Sequence, residues 1–166
     1  MKDYSQDDRF LKTYTLKPTV IPEGFVLCVD TREVKSLFQR VPKGLTIMST
    51  TLTDGDYSVF GMTDKICFER KVGDIFSYCT AEQEKTKKKM ARFKDFEFVG
   101  LVIEIARETE LFQFQQFTKA HPEAIRGALI SFEVKSNVHI YYGNRENCAR
   151  WLLDRAIRFY RLKKEV

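Results

Sequence analysis

The sequence predicts one α/β domain built on a mixed sheet flanked by helices. Three observations carry this. The first half reads as short strands, the second half alternates helices with strands, and 166 residues suffice for one core but not for two comfortable domains. Hydrophobic residues are 43% and charged residues 31%, an ordinary balance for a soluble chain. No apolar run approaches the roughly 20 residues that span a bilayer.

Residues 1–22 are polar, lack sustained periodicity and contain Pro18 and Pro22, so they are read as an N-terminal arm before a domain spanning 23–166. Phe25-Val26-Leu27-Cys28-Val29, between Gly24 and Asp30, has the composition of a strand buried on both faces. Leu45 to Leu52 is a second strand rich in Thr, Ile and Met. Residues 57–71 are read as a β-hairpin, with Tyr57–Phe60 and Lys65–Glu69 on either side of Gly61-Met62-Thr63-Asp64.

The lysine-rich stretch from Val72 to Arg92 lacks strand alternation and reads as one helix. Phe98–Ile103 is another buried strand. His121-Pro122-Glu123 opens a helix through Val134, because proline suits a first helical turn. Val138–Tyr142 is the last strand, and Asn144 caps a final helix reaching about Lys163. There is no internal repeat and no low-complexity tract.

Several function classes fall away at this level. The N-terminus mixes charges and lacks the apolar stretch of a secretory signal, so an intracellular protein is expected. That place is the cytoplasm of a prokaryote or virus-infected host, or a eukaryotic nucleus. Cys28, Cys67, Cys79 and Cys148 show no paired short spacing, which argues against structural zinc and a disulfide framework. The only histidines, His121 and His139, have no recognisable nucleophile nearby, which argues against a triad hydrolase. The net charge of +5 permits a polyanionic partner without requiring one.

The informative segment is Asp54-Gly55-Asp56-Tyr57 followed by Phe68-Glu69-Arg70-Lys71-Val72-Gly73-Asp74. In a hairpin the start of the first strand lies beside the end of the second, so Asp56 and Glu69 converge. Period-two geometry puts Glu69 and Lys71 on one face and turns Arg70 to the other. Two acids and an amine suit metal-assisted phosphodiester hydrolysis, in which carboxylates hold Mg²⁺ or Mn²⁺ and the ion activates water. Lys71 can orient that water or stabilise developing charge. The backbone carbonyl of Arg70 is a further candidate ligand, and Asp74 can join the site or fix Lys71 or Arg70. The first strand ends at Asp30-Thr31-Arg32-Glu33, where open α/β sheets place ligands, so Asp30 and Glu33 are second-rank ligand candidates. Taken singly, Asp-Gly-Asp is a turn and Glu-Arg-Lys a solvated charge cluster. Their combination carries the argument.

Gly55-Asp56, a spacer, and Glu69-Arg70-Lys71-Val72-Gly73-Asp74 resemble the GD…ERK…D signature of XPF-type (ERCC4-domain) nucleases. Asp30-Thr31-Arg32-Glu33 resembles the upstream D-x-R-E element of that family. The resemblance covers about Gly24 to Tyr160. It implies a restriction-endonuclease-like core, divalent-metal cleavage of DNA, often at branched, flap or fork structures, and work in repair, recombination or replication. It also implies that Asp56 and Glu69 bind metal and Lys71 assists the base, with Asp30, Arg32, Glu33, Arg70 and Asp74 in support. Thr80-Ala81-Glu82-Gln83-Glu84 stands where many relatives carry an arginine-containing stretch, and no tandem helix-hairpin-helix repeats follow, so a stand-alone catalytic module is expected. The implied assembly is a single chain, a homodimer, or a heteromer with a DNA-targeting protein.

Lys85, Lys87, Lys88, Lys89, Arg92 and Lys94 follow the candidate site, several can line one side of a helix, and Lys85, Lys87, Lys88, Lys89 and Arg92 are expected to contact DNA, because neutralised phosphates release counterions. Arg150, Arg158 and Arg161 form a basic face on the final helix that solvent accounts for equally well. Phe112, Phe114 and Phe117 are expected to pack rather than stack on bases. The alternative function is a non-catalytic DNA-binding or scaffolding subunit with this fold, against which the presence of both acids and Lys71 argues. A protein-interaction module would leave the two matching elements unexplained.

Overall fold

The computed structural model describes residues 19–165. Residues 1–18, most of the expected arm, lie outside it. The remaining arm residues lie along the last helix, where the Thr19 hydroxyl reaches Asp154 at 2.5 Å and Arg161 donates to the Val20 carbonyl at 3.1 Å.

Six strands form one mixed sheet: β1 (Val26–Asp30), β2 (Thr46–Thr50), β3 (Tyr57–Val59), β4 (Ile66–Lys71), β5 (Phe98–Glu104) and β6 (Val138–Gly143). Their order is β2-β1-β3-β4-β5-β6. β3 pairs antiparallel with β1 and β4, whereas β1–β2, β4–β5 and β5–β6 pair parallel. Five strands therefore run one way and β3 alone runs back. One rim consequently collects the carboxyl ends of β1, β4 and β5 together with the start of β3. Asp30, Asp56, Lys71 and Glu104 all belong to that rim.

The helices are α1 (Ile75–Cys79), α2 (Gln83–Phe93), α3 (Pro122–Ser136) and α4 (Arg145–Lys164). The single helix expected over 72–92 is two. Thr80 leaves the helical region at φ −127° and ψ −75°, and its hydroxyl closes on the Phe76 carbonyl at 2.7 Å. The Tyr78 carbonyl freed by the break accepts from the buried Thr86 hydroxyl at 2.8 Å. The expected helix starts are present: Pro122 opens α3 behind His121, and Asn144 Oδ1 accepts from Asn147 N at 2.9 Å. A 3-10 turn at Glu108–Phe112 was not anticipated.

Two cores flank the sheet, each containing one parity of the strand residues. Cys67, Val99, Leu101 and Ile103 pack with Ile75, Tyr78, Met90, Phe93, Ile125 and Leu129 from α1, α2 and α3. Ile66, Phe68 and Val102 pack with Leu152, Ala156 and Ile157 from α4. Gly100 makes the second core possible, because a Cβ there would stand 2.5 Å from the Phe68 ring. All four cysteines are free and buried. Among the described residues no helix is long and apolar enough to cross a membrane.

Candidate active site

Gly55 is the hinge on which the site is assembled. Its φ of +78° lies in the left-handed region, and a Cβ there would meet the Phe68 carbonyl oxygen at 2.9 Å. Only glycine lets the chain turn this tightly against β4. The next residue then docks: Asp56 N donates to Phe68 O at 2.7 Å, and the Asp56 carboxylate accepts from Arg70 N at 2.7 Å. On the other side Asp30 N donates to Asp56 O at 2.9 Å. Asp56 is thus fixed between β1 and β4 by backbone bonds.

On β4, alternation sends Glu69 and Lys71 to the face covered by α1 and α2, alongside Cys67. Lys71 Nζ lies 3.0 Å from Glu69 Oε1 and 3.2 Å from Asp74 Oδ2, with the Tyr78 ring 4.5 Å away. Burial opposes the Lys71 charge, but Glu69 and Asp74 outweigh it and hold the amine above its ordinary pKa. Asp74 stands at the N-cap of α1 rather than within a helix. It also accepts from Val72 N at 2.9 Å, so it fixes Lys71 and the turn, and does not reach Arg70.

Glu69 is 1% exposed. Its Oε1 receives Lys71 and also Lys89 Nζ, at 2.6 Å. Its Oε2 is buried without a hydrogen-bond partner, as is the Tyr78 hydroxyl. Such atoms are uncommon in folded proteins and each carries a desolvation cost of about 1–3 kcal/mol. Burial, followed by repulsion from Glu69, pushes the Asp56 carboxyl up to about 7, against the pull of the Arg70 amide and Lys89. The pair has more negative charge than its surroundings comfortably hold.

Arg70 points to the opposite face. Its guanidinium is 7% exposed and bridges Glu33 at 2.7 Å and Glu104 at 2.5 Å, with a further bond to the Lys35 carbonyl at 2.9 Å. Glu104 also accepts from Arg145 at 3.1 Å. This network ties β1, β4, β5 and α4 together beneath the site. Glu104 was missed in the sequence, although an acid at the carboxyl end of a buried strand is the signal that singled out Asp30.

Asp30 and Glu33 were expected as ligand candidates, and the structure gives their oxygens other work. Asp30 Oδ1 accepts from Arg32 N at 2.8 Å and Arg32 Nε at 2.7 Å. Its Oδ2 accepts from an Arg32 amino group at 2.9 Å and Leu52 N at 2.7 Å. Four donors saturate that carboxylate, and the guanidinium beside it holds its pKa down at about 2. Arg32 continues to the Leu52 carbonyl at 2.8 Å, so the pair staples the end of β1 to the loop leading to Asp56. Glu33 holds Arg70.

The basic stretch also divides. Lys85 and Lys87 stand in solvent beside Glu82 and Glu84, and Lys88 is exposed. Lys89 and Arg92, expected on DNA, instead turn toward the sheet. Arg92 forks Asp54 at 2.8–3.1 Å, so the first acid of Asp-Gly-Asp is a buried ion-pair partner as well as a turn residue. Phe114 and Phe117, expected to pack, are 76% and 70% exposed. Their contacts are edge-on, Phe117 with Phe76 and Phe114 with His121. The expected basic face of α4 is largely tied down, with Arg150 beside Asp154 and Arg161 on Val20.

Among solved structures, the fold is similar to XPF from Aeropyrum pernix, at TM-score 0.60 and 17% identity over 81% of this chain and 61% of that one. It is also similar to XPF from Aeropyrum pernix in complex with DNA, at TM-score 0.58 and 15% identity over 83% of this chain and 66% of that one. This chain therefore spans less than two thirds of either. At these identities the likeness shows the fold alone, a mixed six-stranded sheet flanked by helices. No curated protein matches the sequence. The family model described as "ERCC4 domain" matches residues 29–154, most of the chain and all of the site, and the protein belongs to the ERCC4 domain family.

Proposed function

We propose that this protein is a divalent-metal-dependent DNA endonuclease that hydrolyses phosphodiesters at branched, flap or fork structures in repair, recombination or replication. The observation that carries the reading is the convergence of Asp56 and Lys71 on Glu69, whose Oε2 is buried and unpartnered. A cation held there would satisfy that oxygen and offset the burial and the Glu69 repulsion that hold the Asp56 carboxyl up. Among the described residues no three His, Cys, Asp or Glu side chains are gathered to hold a metal. The donor set proposed is two carboxylates, Asp56 and Glu69, with the Arg70 backbone carbonyl. That suits Mg²⁺ or Mn²⁺, because Mg²⁺ commonly takes one or two carboxylates and keeps several waters.

A bound cation supplies Lewis acidity, lowering the pKa of water and neutralising phosphoryl charge. The chain's own groups do the rest. Lys71, held charged by Glu69 and Asp74, orients the attacking water or stabilises the developing oxyanion. Arg70 holds β4 rigid from the far face, and the Asp30–Arg32 staple fixes the approach to Asp56. DNA is the substrate this arrangement fits, by analogy with XPF from Aeropyrum pernix in complex with DNA and from the exposed Lys85, Lys87 and Lys88. The protein acts alone, as a homodimer, or with a DNA-targeting partner.

The test is incubation of labelled single-stranded, duplex, flap and fork DNA with Mg²⁺, Mn²⁺ or EDTA. The reading requires cuts that depend on the cation and favour the branched substrates. Binding without cutting in every cation supports the scaffolding alternative.

A further inference from the structure

We propose that Lys89 is a gate on the cation site: in the metal-free protein its amine occupies Glu69, and a divalent cation enters by displacing it. This inference rests on the metal-dependent reading above.

Glu69 Oε1 has two amines on it, and they are held differently. Lys71 belongs to the strand, is 14% exposed, and is braced by Asp74 at 3.2 Å and by the Tyr78 ring. Lys89 comes from α2, is 26% exposed, and among the described residues bonds Glu69 alone, at 2.6 Å. The helix itself is fastened down by its neighbours. Met90 and Phe93 are buried, and Arg92 grips Asp54. Lys89 can therefore leave Glu69 by turning its flexible four-carbon stem, with the backbone of α2 left in place.

The consequence follows from Coulomb's law at short range. An ammonium in contact with the same carboxylate opposes a divalent cation, and the opposition is strong where the carboxylate is buried. Once displaced, the amine remains at the rim beside the proposed metal, where a substrate phosphate is the available anion. Cation entry and backbone binding by α2 are then coupled, and linkage makes the coupling reciprocal. Lys85, Lys87 and Lys88 have no such contact with the site. Lys89 is thereby a competitor for the cation first and a phosphate ligand second.

The experiment is calorimetric titration of Mn²⁺ into DNA-free protein, comparing wild type with Lys89→Ala, Lys89→Gln, Lys88→Ala and Glu69→Gln. Melting curves establish that each variant is folded, and Lys89→Gln keeps a side chain able to hydrogen-bond Glu69. Both Lys89 variants are expected to bind Mn²⁺ roughly three- to tenfold more tightly than wild type, with Lys88→Ala unchanged. Affinities at or below wild type in both Lys89 variants, while Glu69→Gln abolishes binding, overturn the gate and leave the metal site standing. Equal binding by wild type and Glu69→Gln overturns the metal site and the gate with it.

Discussion

The Asp56 carboxylate accepts the backbone N–H of Arg70 at 2.7 Å, so the acid that opens β3 is pinned to the strand that carries Glu69 and Lys71. The contact is possible because Gly55 lets the chain approach Phe68, and it leaves Asp56 with its charge only partly compensated.

Gly55→Ala places a Cβ at φ +78° and 2.9 Å from a backbone oxygen. Left-handed backbone costs an alanine about 1–2 kcal/mol before the clash is counted. The expected outcome is a melting temperature lower by at least about 3 °C, since about 1 kcal/mol shifts a chain of this size by 2–4 °C. Thermal denaturation followed by circular dichroism reads this. An unchanged midpoint contradicts the role given to Gly55.

Asp56 gives the metal-free protein an unusual pH dependence. Its carboxyl is pushed up to about 7, so the folded chain holds that proton more tightly than the unfolded chain does. This contribution to stability is present at low pH and is lost as pH rises from about 4 through 7. Burial, followed by repulsion from Glu69 and Glu33, sets the shift from one side, with the Arg70 amide and Lys89 opposing it. Asp56→Asn keeps an acceptor for the Arg70 amide and removes the charge. It is expected to raise the melting temperature by several degrees at pH 8 in EDTA, and by less at pH 5. An equal effect at both pH values would count against the shift.

Arg70 neutralises Glu33 and Glu104 in a nearly buried position. Removing one member of a buried network leaves carboxylates uncompensated, at a cost of about 3–5 kcal/mol. Arg70→Ala should therefore be severely destabilised in urea titrations, and Arg70→Lys should recover little, because an ammonium cannot fork two acids. Adding Glu104→Gln to Arg70→Ala should restore part of the loss. Additivity of the two substitutions would show that they do not interact.

Much of this fold was legible because its strands are short apolar runs with punctuation: Phe25–Val29 stops at Asp30, and Gly61 turns the hairpin. The convergence of Asp56 with Glu69 and Lys71 needed only hairpin geometry and period two. The partners of those residues were not legible, because they depend on sheet order and helix docking. Glu104 meets Arg70 only because β5 lies beside β4, and Asp54 meets Arg92 only once α2 is seated. Whether Lys88 or Lys89 faces Glu69 turns on the helix phase, which the break at Thr80 resets. Asp30 was read as a ligand from its place at a strand end, and the neighbouring Arg32 fork that saturates it is invisible without coordinates.

The proposed metal-dependent cleavage of DNA rests on Glu69 and Lys71. It is tested most directly by single-turnover cutting of a labelled flap substrate in Mn²⁺ by wild type, Glu69→Gln and Lys71→Ala, each shown to be folded. Both variants are expected to lose about 10²-fold or more of the cleavage rate, with DNA binding largely retained. Cleavage by either variant at the wild-type rate would contradict it.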